Sequence, residues 1–335
     1  GGCTCENASL LRVSNGNIAF AALFAPKPLG LTTANDWTRE LSTKGYPELK
    51  GLYQTLAAPE HLLLHDRPEF GHNYNLPSRQ AMYRWFSQHL GLGVKQPDQE
   101  RPFRRLKEEE LTVWNEEHPK PGGGDDFERE VLASLAAVST RMIKADPALA
   151  RKGWDVLLDA DLKQAGKVEW KLADKVDRGS YLEMPGLHRN VSYREETPVI
   201  WLYPKEGWNK RAVIWLSRSG KSGLYSKDGA LRPAVARLLA AGHAVCGLDL
   251  FQQGEFRPDG KPLGEARRVK NPREAACYTL GYNRPLFVQR LHDILSAIRL
   301  IQEDPHGAEK IDLVALGGAG HWAAAINYAA GEALD

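Results

Sequence analysis

The chain has 335 residues, of which 42% are hydrophobic and 26% are charged, and its formal net charge is +2. Such a composition is ordinary for a globular protein and leaves room for one large domain or two small ones. With so small a net charge and no apolar run near the roughly 20 residues of a bilayer span, we expect neither nucleic acid nor a membrane as a partner.

Short strands and helices alternate along the first segment of the chain. Apolar runs bounded by polar or turn residues predict buried strands, and apolar residues three and four apart predict helices. In chain order, the elements are a strand at residues 29–34, a helix at 47–56, a strand at 61–65 and an amphipathic helix at 77–90. Two glycines, Gly91 and Gly93, close the last helix, as is typical of a helix C-terminus.

The composition changes after about Lys95, where Pro, Glu, Lys and Arg become frequent. The stretch Pro119-Lys-Pro-Gly-Gly-Gly124 is a strong linker signal and indicates a boundary. Beyond it we predict a helix at residues 127–145, neighbouring strands at 197–203 and 212–216, a helix at 229–241, a strand at 243–251, a helix at 286–302 and a strand at 310–316. This alternation predicts a parallel, doubly wound sheet.

Asp36 follows the first predicted strand, and His72 lies in the loop between the strand at 61–65 and the helix at 77–90. Loops at the carboxyl edge of a parallel sheet bring side chains from separate strands together. There an aspartate can hold an imidazole in one tautomer, and the imidazole can take a proton from a nucleophile. The alternative is a generic surface role for both residues.

Other histidines of the first segment compete for this role. His61 and His65 are assigned to the predicted strand and His89 to the last helix. We expect all three to be structural.

A second candidate site is the strand, turn and helix that begin at Ile311. A nucleophile elbow has the form Gly-x-Ser-x-Gly, because its central residue is strained and small neighbours let the helix approach the strand. Here Ala319 occupies the nucleophile position and His321 the last glycine. Ala319 cannot attack a carbonyl, although the Gly320 amide stands where an oxyanion donor is expected. His321 as a nucleophile or metal ligand is the alternative to the packed or solvent-facing residue that we expect.

Several stretches of the first segment are similar in sequence to those of a known family. They are Gly1-Gly-Cys-Thr-Cys-Glu-Asn-Ala-Ser-Leu, Phe24-Ala-Pro-Lys-Pro-Leu-Gly, Ala34-Asn-Asp-Trp-Thr, Phe70-Gly-His-Asn-Tyr-Asn and Ser78-Arg-Gln-Ala-Met-Tyr. In them, residues 1–93 resemble bacterial acetylxylan-esterase-like members of the α/β-hydrolase superfamily. The resemblance implies that Asp36 is the acid and His72 the base. It also implies that the serine elbow and the sixth strand precede Gly1.

Residues 199–330 resemble the front half of an α/β-hydrolase. Gly242-His-Ala-Val-Cys-Gly-Leu-Asp249 is similar to the fourth strand, and Leu216-Ser-Arg-Ser-Gly-Lys-Ser-Gly223 takes the place of the oxyanion loop. We expect Ser217, Ser219 and Ser222 to be loop residues. The Gly-Lys-Ser of this loop lacks the spacing of a phosphate loop, so we do not expect nucleotide binding.

The order of these segments decides the predicted architecture, because in this fold the nucleophile precedes the acid and base. A circular permutant would need a sixth strand that neither end supplies. We therefore predict an α/β protein with a doubly wound, mostly parallel sheet, in which the rear part of one α/β-hydrolase precedes the front part of a second. The domains are residues 1–93 (catalytic, C-terminal part), 94–180 (linker and helical spacer) and 181–335 (degenerate, N-terminal part).

The predicted function is a carboxylic-ester hydrolase that uses an acyl-enzyme mechanism, with no metal or organic cofactor. Its substrate is a small-molecule or polysaccharide ester, with acetylated plant polysaccharide preferred, and the chain as given is expected to be an inactive fragment without its serine. The alternative is a pseudoenzyme, a carbohydrate- or protein-binding module of hydrolase fold. The oligomeric state stays open.

The two ends of the chain and its four cysteines give little information about function. The chain starts without Met or a signal peptide and stops within an Ala-rich helix, so we expect both ends to be cut. The location therefore stays open, with the periplasm or secretion as the suggested alternatives. Cys3-x-Cys5 lacks the second ligand pair of a zinc site, and Cys246 and Cys277 are isolated.

Overall fold

The computed structural model describes residues 8–13, 15–158, 162–264 and 279–335. These residues divide by their contacts into two compact units. Unit 1 comprises the described residues within 1–128 and 268–283, and unit 2 those within 129–267 and 284–335. The domain limits drawn from the sequence stay a prediction, and the motif at residues 1–7 lies outside the described residues, as do Cys3, Cys5 and Cys277.

Unit 1 is built around two short parallel strands. Leu29 pairs with Leu62 at one end of the ladder, and Thr32 pairs with His65 at the other. The elements of this unit are α1 (Asn17–Ala22), β1 (Leu29–Thr32), α2 (Leu41–Lys44), α3 (Tyr46–Thr55), β2 (Leu62–His65), α4 (Leu76–His89) and α5 (Glu108–Leu111). Both predicted strands and both predicted helices are confirmed, with ends shifted by at most two residues.

Helices cover both faces of this pair of strands. On one face, Leu49 and Tyr53 of α3 are buried in a cluster that includes Leu62 and is joined by Leu29 and Leu31. On the other face, α4 approaches Gly30 so closely that a Cβ there would lie 2.8 Å from Trp85 Cδ1. The loops that follow β1 and β2 therefore start from a fixed base.

A 21-residue helix, α6 (Asp125–Ala145), confirms the predicted helix at residues 127–145. It has no buried residue, and Leu132 and Leu135 are more than half exposed. Within the described part of the chain, no helix combines the length and the apolar character needed to cross a membrane.

Unit 2 contains a seven-stranded mixed sheet. Its elements are α7 (Pro147–Leu158), β3 (Val168–Leu172), β4 (Val176–Asp177), β5 (Tyr181–Asn190), β6 (Glu195–Pro204), β7 (Arg211–Ser217), α8 (Pro233–Ala240), β8 (Ala244–Leu248), α9 (Leu286–Glu303), β9 (Lys310–Leu316) and α10 (Gly320–Ala330). The strand order is β3-β5-β6-β8-β7-β9, and β4 pairs with β5. Strands β3, β4 and β5 and helix α7 were not predicted from the sequence.

The strands of this sheet run in two ways. β7 is parallel to both β8 and β9, as the alternation of strands and helices predicted. β5 is antiparallel to β3, β4 and β6, and β6 is antiparallel to β8. The connection from β5 to β6 has only four residues, which suits a hairpin, whereas parallel neighbours need a long crossover. The prediction that β6 and β7 are neighbours was wrong, because β8 lies between them.

Side chains of β7 alternate between two apolar clusters. Ile214 and Leu216 belong to a cluster with residues of α9 and α10. Val213 and Trp215 belong to another cluster with Val235 and Leu239 of α8. The parallel part of the sheet is therefore buried on both faces, and only its edges can carry a site.

Candidate active site

The loops after β1 and β2 bring Asp36 and His72 together. The Nδ1 atom of His72 lies 2.7 Å from Oδ2 of Asp36, 36 residues away in the chain. An ionised carboxylate only accepts hydrogen bonds, so Nδ1 carries the proton. Nε2 is then the ring nitrogen that can accept a proton from another group.

A turn at Thr38 holds the Asp36 carboxylate. Oδ1 accepts hydrogen bonds from the Thr38 amide at 2.7 Å and the Thr38 hydroxyl at 2.6 Å. The hydroxyl in turn accepts from the Ala34 amide at 3.0 Å. Burial acts to raise the pKa of Asp36, but the hydrogen bonds from Thr38 and His72 outweigh it and hold this pKa below the usual value. Asp36 is therefore an anion at neutral pH.

The two side chains differ in their exposure to solvent. The Asp36 side chain is 10% exposed, whereas that of His72 is 67% exposed. The Trp37 ring packs beside the imidazole, with 4.5 Å between the ring centroids and 45° between the planes. A buried anion thus supports an accessible imidazole, which is an arrangement suited to a general base.

A second carboxylate, that of Asp66, connects the loops after β1 and β2. It was not predicted from the sequence as a site residue. Thr33, directly after β1, donates its hydroxyl to Asp66, directly after β2, at 2.5 Å. The same hydroxyl accepts from the Arg67 amide at 2.8 Å. The signal was present as a polar residue after each strand, but nothing in the sequence showed that they pair with each other.

The competing histidines have other partners. His61 lies in a 3-10 turn (Pro59–His61) and not in the strand, which corrects the prediction; its Nδ1 is 2.8 Å from the Pro26 carbonyl. His65 ends β2 and accepts from Arg67 Nε at 3.2 Å, and burial followed by the charge of Arg67 lowers its pKa. His89 ends α4 with its ring centroid 4.0 Å from that of Trp85. Each contact suits a structural role.

The turn after β9 does not have the backbone of a nucleophile elbow centred on Ala319. Gly317 and Gly318 have φ of 58° and 91°, whereas Ala319 has φ −88° and ψ −3°. The positive φ values therefore belong to the two glycines, which adopt them without strain, and not to the residue at the nucleophile position. Ala319 is fully buried within the apolar cluster of α9 and α10, so its Cβ does not face solvent. Gly320 is the first residue of α10.

His321 is the second residue of α10 and is exposed to solvent. Its ring stacks on Phe287 with 5.6 Å between centroids and 21° between planes. Neither chemistry nor ligation is needed to explain its position.

The loop after β7 is organised around a buried aspartate, Asp249. The Asp249 carboxylate is 1% exposed and accepts from the amides of Lys221 at 2.9 Å and Glu255 at 3.0 Å, and from Lys221 Nζ at 2.5 Å. Lys221 also forms an ion pair with the Glu255 carboxylate. The lysine is thus engaged within the protein by two carboxylates.

The serines of this loop are bonded locally. Ser217 Oγ accepts from the Ser219 amide at 3.2 Å, and Ser222 donates to the Ser219 carbonyl at 2.7 Å. Ser219 and Ser222 lie in the loop, as expected, whereas Ser217 is the last residue of β7, which corrects the prediction for that residue.

No family model and no curated protein matches the chain. Among solved structures it is similar to acetyl xylan esterase 1 from Thermoanaerobacterium sp. JW/SL YS485, with 16% identity and a TM-score of 0.36 over 52% of this chain and 53% of that chain. It is also similar to an acetyl xylan esterase from Paenibacillus sp. R4, with 12% identity and a TM-score of 0.35 over 53% and 54%. For a glucuronoyl esterase from Solibacter usitatus the values are 12% and 0.33, over 48% of both chains.

The chain thus spans about half the length of each of these esterases. Acetyl xylan esterases, which residues 1–93 resemble in their motifs, are among the structures to which the chain is similar. At these TM-scores the likeness by itself assigns neither a fold nor an activity.

Proposed function

We propose that unit 1 supplies the acid and the base of a serine-type carboxylic-ester hydrolase, with Asp36 as the acid and His72 as the base. The proposal is carried by the 2.7 Å hydrogen bond between Asp36 Oδ2 and His72 Nδ1, in loops that follow two parallel strands. The bond fixes the tautomer of His72, and the ionised Asp36 stabilises the imidazolium that forms when Nε2 takes a proton.

The nucleophile is proposed to be a serine outside these 335 residues. Within the described part of the chain, no serine hydroxyl is hydrogen-bonded to His72. In the proposed reaction, His72 removes the proton of the serine hydroxyl as its oxygen attacks the ester carbonyl, and returns that proton to the departing alcohol. Water then attacks the acyl-enzyme with His72 as the base, which releases the acid and regenerates the serine. This route needs no metal or organic cofactor.

We further propose that both units have the α/β-hydrolase fold and that the sheet of unit 2 is doubly wound. Support comes from the parallel strands β8, β7 and β9, with α8 on one face and α9 and α10 on the other. β8 matches the stretch that resembles the fourth strand, and the turn after β9 stands where an elbow is expected. The antiparallel strands β3 to β6 extend this core on one side.

The proposed substrate is an ester on acetylated plant polysaccharide. The motif resemblance of residues 1–93 supports this class. Unit 2 is proposed to be a non-catalytic module of the same fold, since Ala319 has no nucleophilic group and is buried.

The test uses the longer polypeptide that contains the serine and an aryl acetate as substrate. We expect His72→Ala to lower turnover by roughly three orders of magnitude or more, because the base is lost. His65→Ala is the matched control, since His65 lies at the end of β2 but is bonded to Arg67. Equal losses from both substitutions would reject the assignment.

The 335-residue chain by itself provides a second test. We expect no stoichiometric labelling of this chain by a fluorophosphonate probe, because the base has no serine partner. Covalent attachment to a serine of either unit would show that the nucleophile lies within the chain.

A further inference from the structure

A cavity of about 360 Å³ lies in unit 2, beneath the last turn of α9. Its lining is mainly aromatic and aliphatic, from β3, β5, β6 and the loops at the starts of β7 and β9. The aromatic lining residues are Trp170, Trp201, Tyr203, Trp208 and His306. Concave apolar spaces of this size with a few polar groups are typical of small-molecule sites.

This cavity is remote from the turn at Ala319. It is lined by Ala212 and Ala244, at the amino ends of β7 and β8. The turn follows the carboxyl end of β9, whose Leu316 pairs with Ser217 of β7. Five residues of strand, roughly 16 Å, separate Ala212 from Ser217. The cavity and the turn at Ala319 therefore lie at opposite ends of the strands of this sheet.

Two indole rings of the lining are held in place by a buried histidine. His188 is 1% exposed, and burial lowers its pKa to about 3, so its ring is neutral. Its Nε2 accepts from Trp201 Nε1 at 3.1 Å. Trp170 meets the same imidazole edge to face, with 5.6 Å between centroids. Trp170 also lies over Gly186, where a Cβ would be 2.5 Å from Cη2 of the indole. These walls are formed before any ligand arrives.

One charged group of the lining is unmatched within the described residues. Lys175 lines the cavity and forms no ion pair with a described carboxylate, whereas Asp304 is bonded to His306 at 2.6 Å. A positive charge is thus left for a ligand to satisfy.

We propose that this cavity binds an aromatic carboxylate. Its ring would contact the indoles of Trp170 and Trp201, and its carboxylate would meet Lys175. A neutral hydrocarbon leaves the Lys175 charge unpaired, and a sugar requires more hydrogen-bonding partners than these apolar walls offer. A cationic ring would be repelled by Lys175.

The test is isothermal titration calorimetry of the 335-residue chain with 2-naphthoate, and with 2-naphthalenemethanol as the uncharged analogue. We expect saturable 1:1 binding of 2-naphthoate, tighter than that of the alcohol. Lys175→Gln is expected to weaken 2-naphthoate binding about threefold to fivefold and to leave the alcohol unchanged. Lys171→Gln is the matched control, because Lys171 is an exposed lysine of β3 outside the lining.

Trp208→Ala removes an aromatic ring of the lining, and is expected to weaken binding of both probes about threefold to tenfold because apolar contact is lost. Circular dichroism of each variant checks that the sheet is intact. Absence of 2-naphthoate binding at millimolar concentration, equal effects of Lys175→Gln and Lys171→Gln, or tighter binding of xylohexaose than of 2-naphthoate would each overturn the proposal. Because no hydrolysis is measured, the result is independent of the proposed esterase function.

Discussion

Unit 1 and unit 2 each have an aspartate just after a parallel strand, and the two carboxylates have opposite surroundings. Asp36 follows β1 and accepts from Thr38 on one oxygen and from the exposed His72 on the other. Asp249 follows β8, and its partners are a lysine and two backbone amides. Asp36 therefore directs one of its oxygens at a group that can exchange protons with solvent, and Asp249 directs neither.

The backbone around Asp249 shows the same difference from that around Asp36, and two glycines reveal it. A Cβ at Gly220 or at Gly254 would lie 2.1 Å from an oxygen of Asp249, so the chain wraps the carboxylate with no space for a ligand. Around Asp36 the analogous place is taken by the His72 side chain, which is two-thirds exposed. An aspartate after a parallel strand can thus either support an accessible imidazole or hold the surrounding backbone together. The partners of its carboxylate decide which of the two it does.

The largest expected effect is on Asp36, the proposed acid of unit 1. In the longer polypeptide, Asp36→Asn should lower turnover of an aryl acetate by roughly 10⁴, because an amide at this place favours the wrong imidazole tautomer. Asp98→Asn is the control, as Asp98 forms a surface ion pair with Arg84 at 2.9 Å and should matter little. A loss of less than tenfold for Asp36→Asn would show that this pair does not act as acid and base.

The packing role of Asp249 can be tested at a neighbouring glycine. Gly254→Ala should destabilise unit 2 by about 3 kcal/mol, because the new Cβ overlaps the carboxylate and the residue has positive φ. Gly260→Ala also sits at positive φ but meets no atom within 4 Å, and should cost only about 1 kcal/mol. Urea unfolding measures both, and equal losses would mean that backbone strain alone matters at Gly254.

Replacing Ala319 by serine tests whether unit 2 is only one residue short of catalysis. We expect no aryl acetate hydrolysis from Ala319→Ser in a longer polypeptide silenced by His72→Ala. The side chain at position 319 is buried, and the positive φ values of the turn belong to Gly317 and Gly318. The buried hydroxyl should instead cost about 1–3 kcal/mol of stability. Ala324→Ser, at an exposed position of α10, should cost about 0.5 kcal/mol. A clear gain of activity would mean that the turn can present a nucleophile.

The smallest expected effect concerns acid stability. The pKa of Asp36 is lower in the folded protein than its ordinary value, so its ionised form stabilises the fold above the unfolded pKa, and this contribution is lost as pH falls through the folded pKa. The wild-type chain should exceed Asp36→Asn in unfolding free energy at pH 7 by about 1 kcal/mol, and the difference should shrink below about pH 4. Urea unfolding at several pH values measures it; a difference that grows with acidity would contradict the lowered pKa.

Local pattern predicted much of the scaffold. The strand before Asp36, the strand before His72 and the helix after it were placed from apolar runs and helical spacing, since both depend on residues close in the chain. Strand β5 was not predicted, because Pro185 and Gly186 interrupt it and such residues argue against a central strand. In the structure β5 nevertheless lies between β3 and β6 and pairs with both, which its own sequence does not indicate.

The sequence by itself determined many of the elements and that an aspartate and a histidine follow strands, because the repeat of a helix or strand and the chemistry of a turn are local. The motif resemblance also predicted that Asp36 and His72 act together, but only the tertiary structure decided that Asp249 pairs with Lys221 and that Ala319 lies in the core after two glycines with positive φ. The reason is that a side chain's role depends on atoms supplied by segments far away in the chain. Nothing in the local pattern around Asp36 and Asp249 states that one meets an imidazole and the other an ammonium.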